Sequence, residues 1–350
     1  MNYLENVIKD MNTKKVVFWG AGRRMKSFLQ KFCIDKKIIP LPDYICDSTR
    51  AIEANEINGI KVLPFEKLKK MDCSEVIIII TAGLFDLQAQ VTPNEFYYFP
   101  VYHCRAFETY YYLQEHKAEY EKVLSMLADE KSRNVYKNLF DNFLKGSFWD
   151  QSLYEPDAYF GNDLIGKLND NEVFAFAGAF NGKHIDRVLK NNSNIKVTAF
   201  EPNIDWFNFL TEKFKNNSNV QIHNKILWEK EEKLRFDGDM LNSGLDAHVC
   251  KAIEGEGLKT FVNSIEMDKI IEDKVQLIAL DVEGSECKAL LGAKSIIKRD
   301  KPKLAICLYH NIEDFITIPL LIDELSEGTY KFYVKQHSSI TPIETVLYAI

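Results

Sequence analysis

The sequence predicts an α/β protein. A seven-stranded, mostly parallel, doubly wound sheet is preceded by a smaller Rossmann-like domain and a helical bridge. Three observations carry this. Two short apolar runs, Val16 to Trp19 and Val173 to Phe176, each lead into a glycine turn, Gly20-Ala21-Gly22 and Gly178-Ala179-Phe180-Asn181-Gly182. Further apolar runs end in an acid, as at Asp47, Glu201 and Asp281. Between them lies a stretch rich in Glu, Lys, Leu and Tyr, with no glycine until Gly146.

The first glycine turn is followed by Met25, Phe28, Leu29 and Phe32 at helical spacing, so strand, tight turn and helix succeed one another. Asp43 to Asp47 reads as a second strand and Glu75 to Ile80 as a third, apolar throughout. Continuous apolar strands suit a parallel sheet with both faces covered. Residues 1–104 are therefore expected to form the smaller domain. Over 105–150, Tyr120, Val123, Leu124 and Leu127, then Val135, Tyr136, Leu139, Phe140 and Phe143, mark amphipathic helices of a bridge.

Residues 151–350 hold the larger domain. Strands are expected at Glu172 to Phe176, Ile195 to Glu201, Val220 to Ile222, Val275 to Asp281 and Lys303 to His310. Tyr330 to Val334 and Thr345 to Ala349 close the sheet as a hairpin. The stretch Leu234 to Lys259 is a candidate lid or acceptor loop.

Composition bounds the function. Lys and Arg number 44 against 51 Asp and Glu, a net charge of −7, which argues against nucleic acid as the main partner. The seven cysteines are scattered and form no CxxC pair, so neither a disulfide framework nor a zinc ribbon is expected. The N-terminal residues have no signal-peptide core, and the run Val76 to Ile80 is far short of the roughly 20 residues that span a bilayer. A cytoplasmic chain without a membrane span is expected, and a homo-oligomer stays open.

In a doubly wound sheet, ligands bind beyond the carboxyl ends of the strands. The turn Gly178 to Gly182 can bring backbone N–H groups close to a ligand. Glu201, at the next strand end, can accept both hydroxyls of a ribose. Asp281 and Glu283 flank the same crevice. Together they suit a nucleoside-like cofactor. His184, His223, His248 and His337 show no metal-ligand spacing, so no metal is expected. In the first domain, Arg23 and Arg24 at a helix start suit a phosphate, beside Gly20, Gly22 and Asp47.

From about Tyr159 onward the chain resembles the FkbM family of S-adenosylmethionine-dependent methyltransferases. The matching segments are Tyr159 to Ile165, the Gly178–Gly182 turn, Ala199-Phe200-Glu201-Pro202, Leu280 to Glu286, Lys301 to Ala305, Leu308-Tyr309-His310 and Glu344 to Ala349. The resemblance implies a Rossmann-like methyltransferase domain that binds S-adenosylmethionine and methylates a hydroxyl of a sugar, nucleotide-sugar or glycan precursor. It places Gly178, Ala179, Phe180, Asn181, Gly182, Glu201, Pro202, Asp281 and Glu283 on the cofactor. His310, ending the fifth strand, is the leading base, and Asp281 is a second candidate. Glu286 is read as stabilising the first turn of the following helix.

One departure stands out. The family usually carries an Asp two residues before the first glycine, where it helps hold the cofactor's ammonium group; here that place is Phe176. A phenyl ring accepts no hydrogen bond from it. A weakened domain that only binds a glycan precursor or a partner is therefore the alternative. The first domain resembles those preceding some sugar acyltransferases, through Phe18 to Gly22, Tyr44 to Asp47 and Gly59 to Leu63, which implies nucleotide-sugar binding. A nicotinamide-dependent oxidoreductase is disfavoured, because Met25 replaces the third glycine of GxGxxG and no Tyr-x-x-x-Lys set accompanies it.

Overall fold

The structure, a computed structural model, describes residues 2–47, 55–81, 101–145, 151–156, 158–159, 162–237, 248–250, 260–338 and 344–350. It divides into two compact units, one of Met1–Glu115 with Phe140–Phe148, the other of His116–Leu139 with Trp149–Ile350.

The first unit is built on strands β1 (Lys15–Trp19), β2 (Tyr44–Cys46), β3 (Glu56–Ile57), β4 (Ile60–Leu63), β5 (Val76–Ile80) and β6 (Val101–His103). Their order is β3-β4-β2-β1-β5-β6. All neighbours are parallel except β3 with β4. The first apolar strand thus lies centrally, and alternate residues feed two faces. Val16, Phe18, Ile77 and Ile79 pack with Phe28, Phe32 and Phe107. Val17, Trp19, Val76 and Ile78 pack with Leu68. Burial on both faces explains why β5 is apolar at every position. The short β3, β4 and β6 are additions to the three strands expected.

The glycine-poor stretch is helical, as Cys104–Glu115, Lys117–Met126 and Glu130–Lys145. Residues 116–139 of it belong with the second unit.

That unit contains β7 (Val173–Ala177), β8 (Lys196–Phe200), β9 (Val220–His223), β10 (Ile226–Leu227), β11 (Lys233–Asp237), β12 (His248–Cys250), β13 (Thr260–Ile265), β14 (Val275–Leu280), β15 (Lys303–Cys307), β16 (Phe332–Gln336) and β17 (Thr345–Ala349). Seven of them form one sheet in the order β16-β17-β15-β14-β7-β8-β9. Only β17 runs antiparallel to its neighbours β15 and β16, as expected of the closing hairpin. One face packs Phe174, Phe176, Val197, Ala199, Leu277, Ala279 and Cys307 against Ile185, Val188 and Leu210.

Strands β10 to β13 form a second sheet, ordered β10-β13-β11-β12. It has its own small core of Ile226, Trp228, Leu234, Phe236 and Val262. Of the candidate lid, 238–247 and 251–259 lie outside the described residues. Its remaining strands are part of this sheet.

Candidate functional site at the carboxyl ends of four strands

The strand order sets β15, β14, β7 and β8 side by side, so the segments after each converge on one edge. Backbone bonds fix the convergence. Gly178 N–H donates to Phe200 O at 3.1 Å, and Asp281 N–H donates to Ala177 O at 3.0 Å. Gly178 has φ +86° and no room for a side chain. Phe180, one of the few non-glycine residues at positive φ (45°), completes the turn. Its ring is partly exposed and lies 4.4 Å from Trp206.

Glu201 ends β8 and is 5% exposed. Its Oε2 accepts from Phe180 N–H at 2.7 Å, and its Oε1 from Asn203 N–H at 2.9 Å. The carboxylate thus holds the glycine turn from across the crevice. Burial lifts it to about 7, and the two N–H donors pull it back only in part. Asn224 fixes the following backbone, donating to Glu201 O and Pro202 O. Asn181 uses its Oδ1 on Lys183 N–H at 3.0 Å, opening the helix Lys183–Asn191 behind Gly182.

Asp281 does not cap the next helix. Its Oδ1 accepts from the Tyr309 hydroxyl at 3.0 Å and lies 3.3 Å from His310 Nε2. Its Oδ2 is 3.4 Å from the Tyr159 hydroxyl. Burial raises the carboxyl above its ordinary value, against the pull of His310 and Tyr309.

His310 is almost enclosed, with a side chain 8% exposed. Glu283 Oε2 stands 3.4 Å from Nε2, and Glu286 Oε1 stands 3.0 Å from Nδ1. Burial pulls the imidazole down, but Glu286, Asp281 and Glu283 overcome it and lift it to about 10. The favoured form is imidazolium, which must lose a proton before it can act as a base.

Glu286 does sit in the first turn of its helix, Glu286–Leu291. Its fully buried carboxylate also reaches back to Val282 N–H at 2.9 Å and faces His310. Asp314 accepts from Asn311 N–H and Nδ2, and burial lifts it to about 7.

Phe176, the penultimate residue of β7, is 1% exposed. Its ring packs against Phe174 at 5.5 Å, Tyr159 at 6.0 Å and His184 at 5.7 Å. Burial lowers His184 to about 4, so it is neutral, and its enclosed Nδ1 has no hydrogen-bond partner among the described residues.

Sequence reasoning missed Tyr159 and Tyr309, whose hydroxyls meet Asp281, and the contact of Glu286 with His310. Tyr309 lay in plain view beside His310, at the strand end where ligand-facing groups collect. Tyr159 opens one of the matching segments, but its pairing with Asp281, more than a hundred residues away, had no local signal.

In the first unit, Gly20 N–H donates to Cys46 O at 2.9 Å. Ala21 N–H donates to Asp47 Oδ2 at 3.0 Å, so this carboxylate is engaged with its own glycine turn. Arg24 lies 3.8 Å from Glu108. The Arg23 side chain lies outside the described residues, and Gly22 caps a helix of six residues, Arg23–Phe28. No helix among the described residues is long and apolar enough to cross a membrane.

Comparison with known proteins gives this site a context. The chain is similar to the crystal structure of a methyltransferase FkbM from Methylobacillus flagellatus KT, with 17% identity and a TM-score of 0.65, covering 99% of this chain and 93% of that one. An rRNA methylase from Streptococcus thermophilus matches at 13% identity and a TM-score of 0.34, over 52% of this chain and 87% of that one. No curated protein matches the chain. Residues 173–332, from the first strand of the large sheet to the start of β16, match the family model for the methyltransferase FkbM domain, and the second unit thus carries a methyltransferase-family domain.

Proposed function

We propose that the chain is an S-adenosylmethionine-dependent O-methyltransferase acting on a hydroxyl of a sugar, nucleotide-sugar or glycan precursor. One observation supports this above others. Within the segment matched as a methyltransferase domain, the glycine turn, Glu201 and Asp281 stand at the ends of three adjacent strands, β7, β8 and β14. The residues fit the nucleoside part of the cofactor. Each Glu201 oxygen accepts one backbone N–H and keeps a second lone pair for a ribose hydroxyl. Phe176 offers nothing to the ammonium end. The neutral His184 lies near its ring, with an enclosed Nδ1 that has no partner among the described residues.

When bound, the cofactor supplies an electrophilic methyl group. The chain's work is to align a hydroxyl with it and to take up the proton. Asp281 is the better-placed proton acceptor, since burial makes it more basic than an ordinary carboxylate. Tyr309 and Tyr159 hold it in orientation. His310, as imidazolium, balances the surrounding carboxylates. The test is methyl transfer from labelled S-adenosylmethionine to carbohydrate acceptors, read by mass spectrometry. Transfer by the native chain, reduced about a hundredfold or more in Asp281→Asn, is expected. Native-level transfer in that variant would remove Asp281 from the reaction.

A further inference from the structure

We propose that Asp281, Glu286 and His310, with Glu283 in reach, form a binding site for one divalent first-row cation of the Mn²⁺ class. The three residues come from separate positions: the end of β14, the first turn of the helix behind it, and the segment after β15. One ligand atom from each can be chosen so that all lie within 4.8 Å of one another. That is the spread of donors around a single ion at bond lengths of about 2.0–2.4 Å.

A second observation points the same way. Glu286 is 0% exposed, and its Oε2 has no hydrogen-bond partner among the described residues. Its Oε1 is occupied by Val282 N–H and faces His310. An enclosed carboxylate oxygen with no donor is costly, and such an atom in a native site calls for an explanation. A cation supplies one, taking over the charge-balancing role of the imidazolium proton, which His310 releases when it binds the ion as a neutral ligand. Glu283 Oε2, 3.4 Å from His310 Nε2, adds a fourth donor to the set.

The donor chemistry selects the ion. Carboxylates with one imidazole favour Mn²⁺, Fe²⁺ or Zn²⁺ over the soft ions that seek thiolate. The nearby Cys307 thiol is not part of the set: burial keeps it protonated, and its sulfur meets the Tyr159 hydroxyl at 2.9 Å. Tyr309, bonded to Asp281, serves as the outer partner that orients a ligand. Three or four protein donors leave an ion of octahedral preference such as Mn²⁺ with positions for water or for an alcohol oxygen.

The test is titration of the metal-stripped full chain with MnCl2, followed by calorimetry and by pulsed electron paramagnetic resonance. One Mn²⁺ per chain is expected, with nitrogen modulation from a single imidazole. His310→Gln should abolish the nitrogen signal, and Glu286→Gln should weaken binding about tenfold or more. Absence of saturable binding by Mn²⁺ and Zn²⁺ to the native chain would overturn the proposal, as would bound Mn²⁺ without nitrogen modulation. Both of those readings use the native chain, so a variant that misfolds does not shelter the idea. Cation binding does not require methyl transfer: a chain that binds Mn²⁺ but transfers no methyl would refute the proposed activity and leave the site standing.

Discussion

A Cβ added to Gly178 would sit 1.8 Å from the carbonyl oxygen of Asp281. The turn after β7 and the segment after β14 are in backbone contact, and this closeness brings Glu201 and Asp281 to one crevice. Gly178→Ala is therefore expected to destabilise the chain by about 2–5 kcal/mol, from positive φ and from displaced backbone. Chemical denaturation measures it. An effect below about 1 kcal/mol would mean the turn and the strand end separate easily.

Phe176→Asp puts a carboxylate into a space filled by Phe174, Tyr159 and His184. Loss of the ring and burial of an unpaired charge together should cost about 3–5 kcal/mol in the free chain. If this is where the cofactor ammonium lies, millimolar S-adenosylmethionine should raise the melting temperature of the variant more than that of the native chain. An equal shift in both would place the ammonium elsewhere.

Glu201 gives a pH signature. Its folded value, about 7, lies above the ordinary 4.5. The folded state therefore holds a proton that the unfolded state has released. The associated stability is full below pH 4.5 and is lost as pH rises through 7, by at most about 3 kcal/mol. Glu201→Gln stays neutral and loses one N–H bond at every pH. Its melting temperature relative to the native chain should climb between pH 5 and pH 8. A difference independent of pH would show that Glu201 is ionised throughout.

Much of this was legible in the sequence, for physical reasons. Strand β7 could be read because both its faces are buried, which forces five apolar residues in a row. The glycine turn could be read because only glycine tolerates the approach to Asp281. Glu201, Asp281 and His310 could be read because they follow apolar strands. The structure gives Glu201 and His310 further work: one holds the turn, the other is held as a cation by three carboxylates. The first depends on the pairing of β7 with β8 and the second on that of β14 with β15. The four-stranded sheet β10-β13-β11-β12 escaped notice because β10 and β12 are only two and three residues long and β10 pairs with the distant β13. Asp47 gave the signal of a ligand-binding acid, and its carboxylate accepts from Ala21 N–H as that of Glu201 does from Phe180 N–H.

The most direct measurement is calorimetric titration of the native full chain with S-adenosylmethionine. The structure leads us to expect saturable binding at one site per chain, in the micromolar to submillimolar range common for enzyme ligands, and weaker binding in Gly178→Ala. No detectable heat up to millimolar cofactor, with the chain folded, would contradict the account.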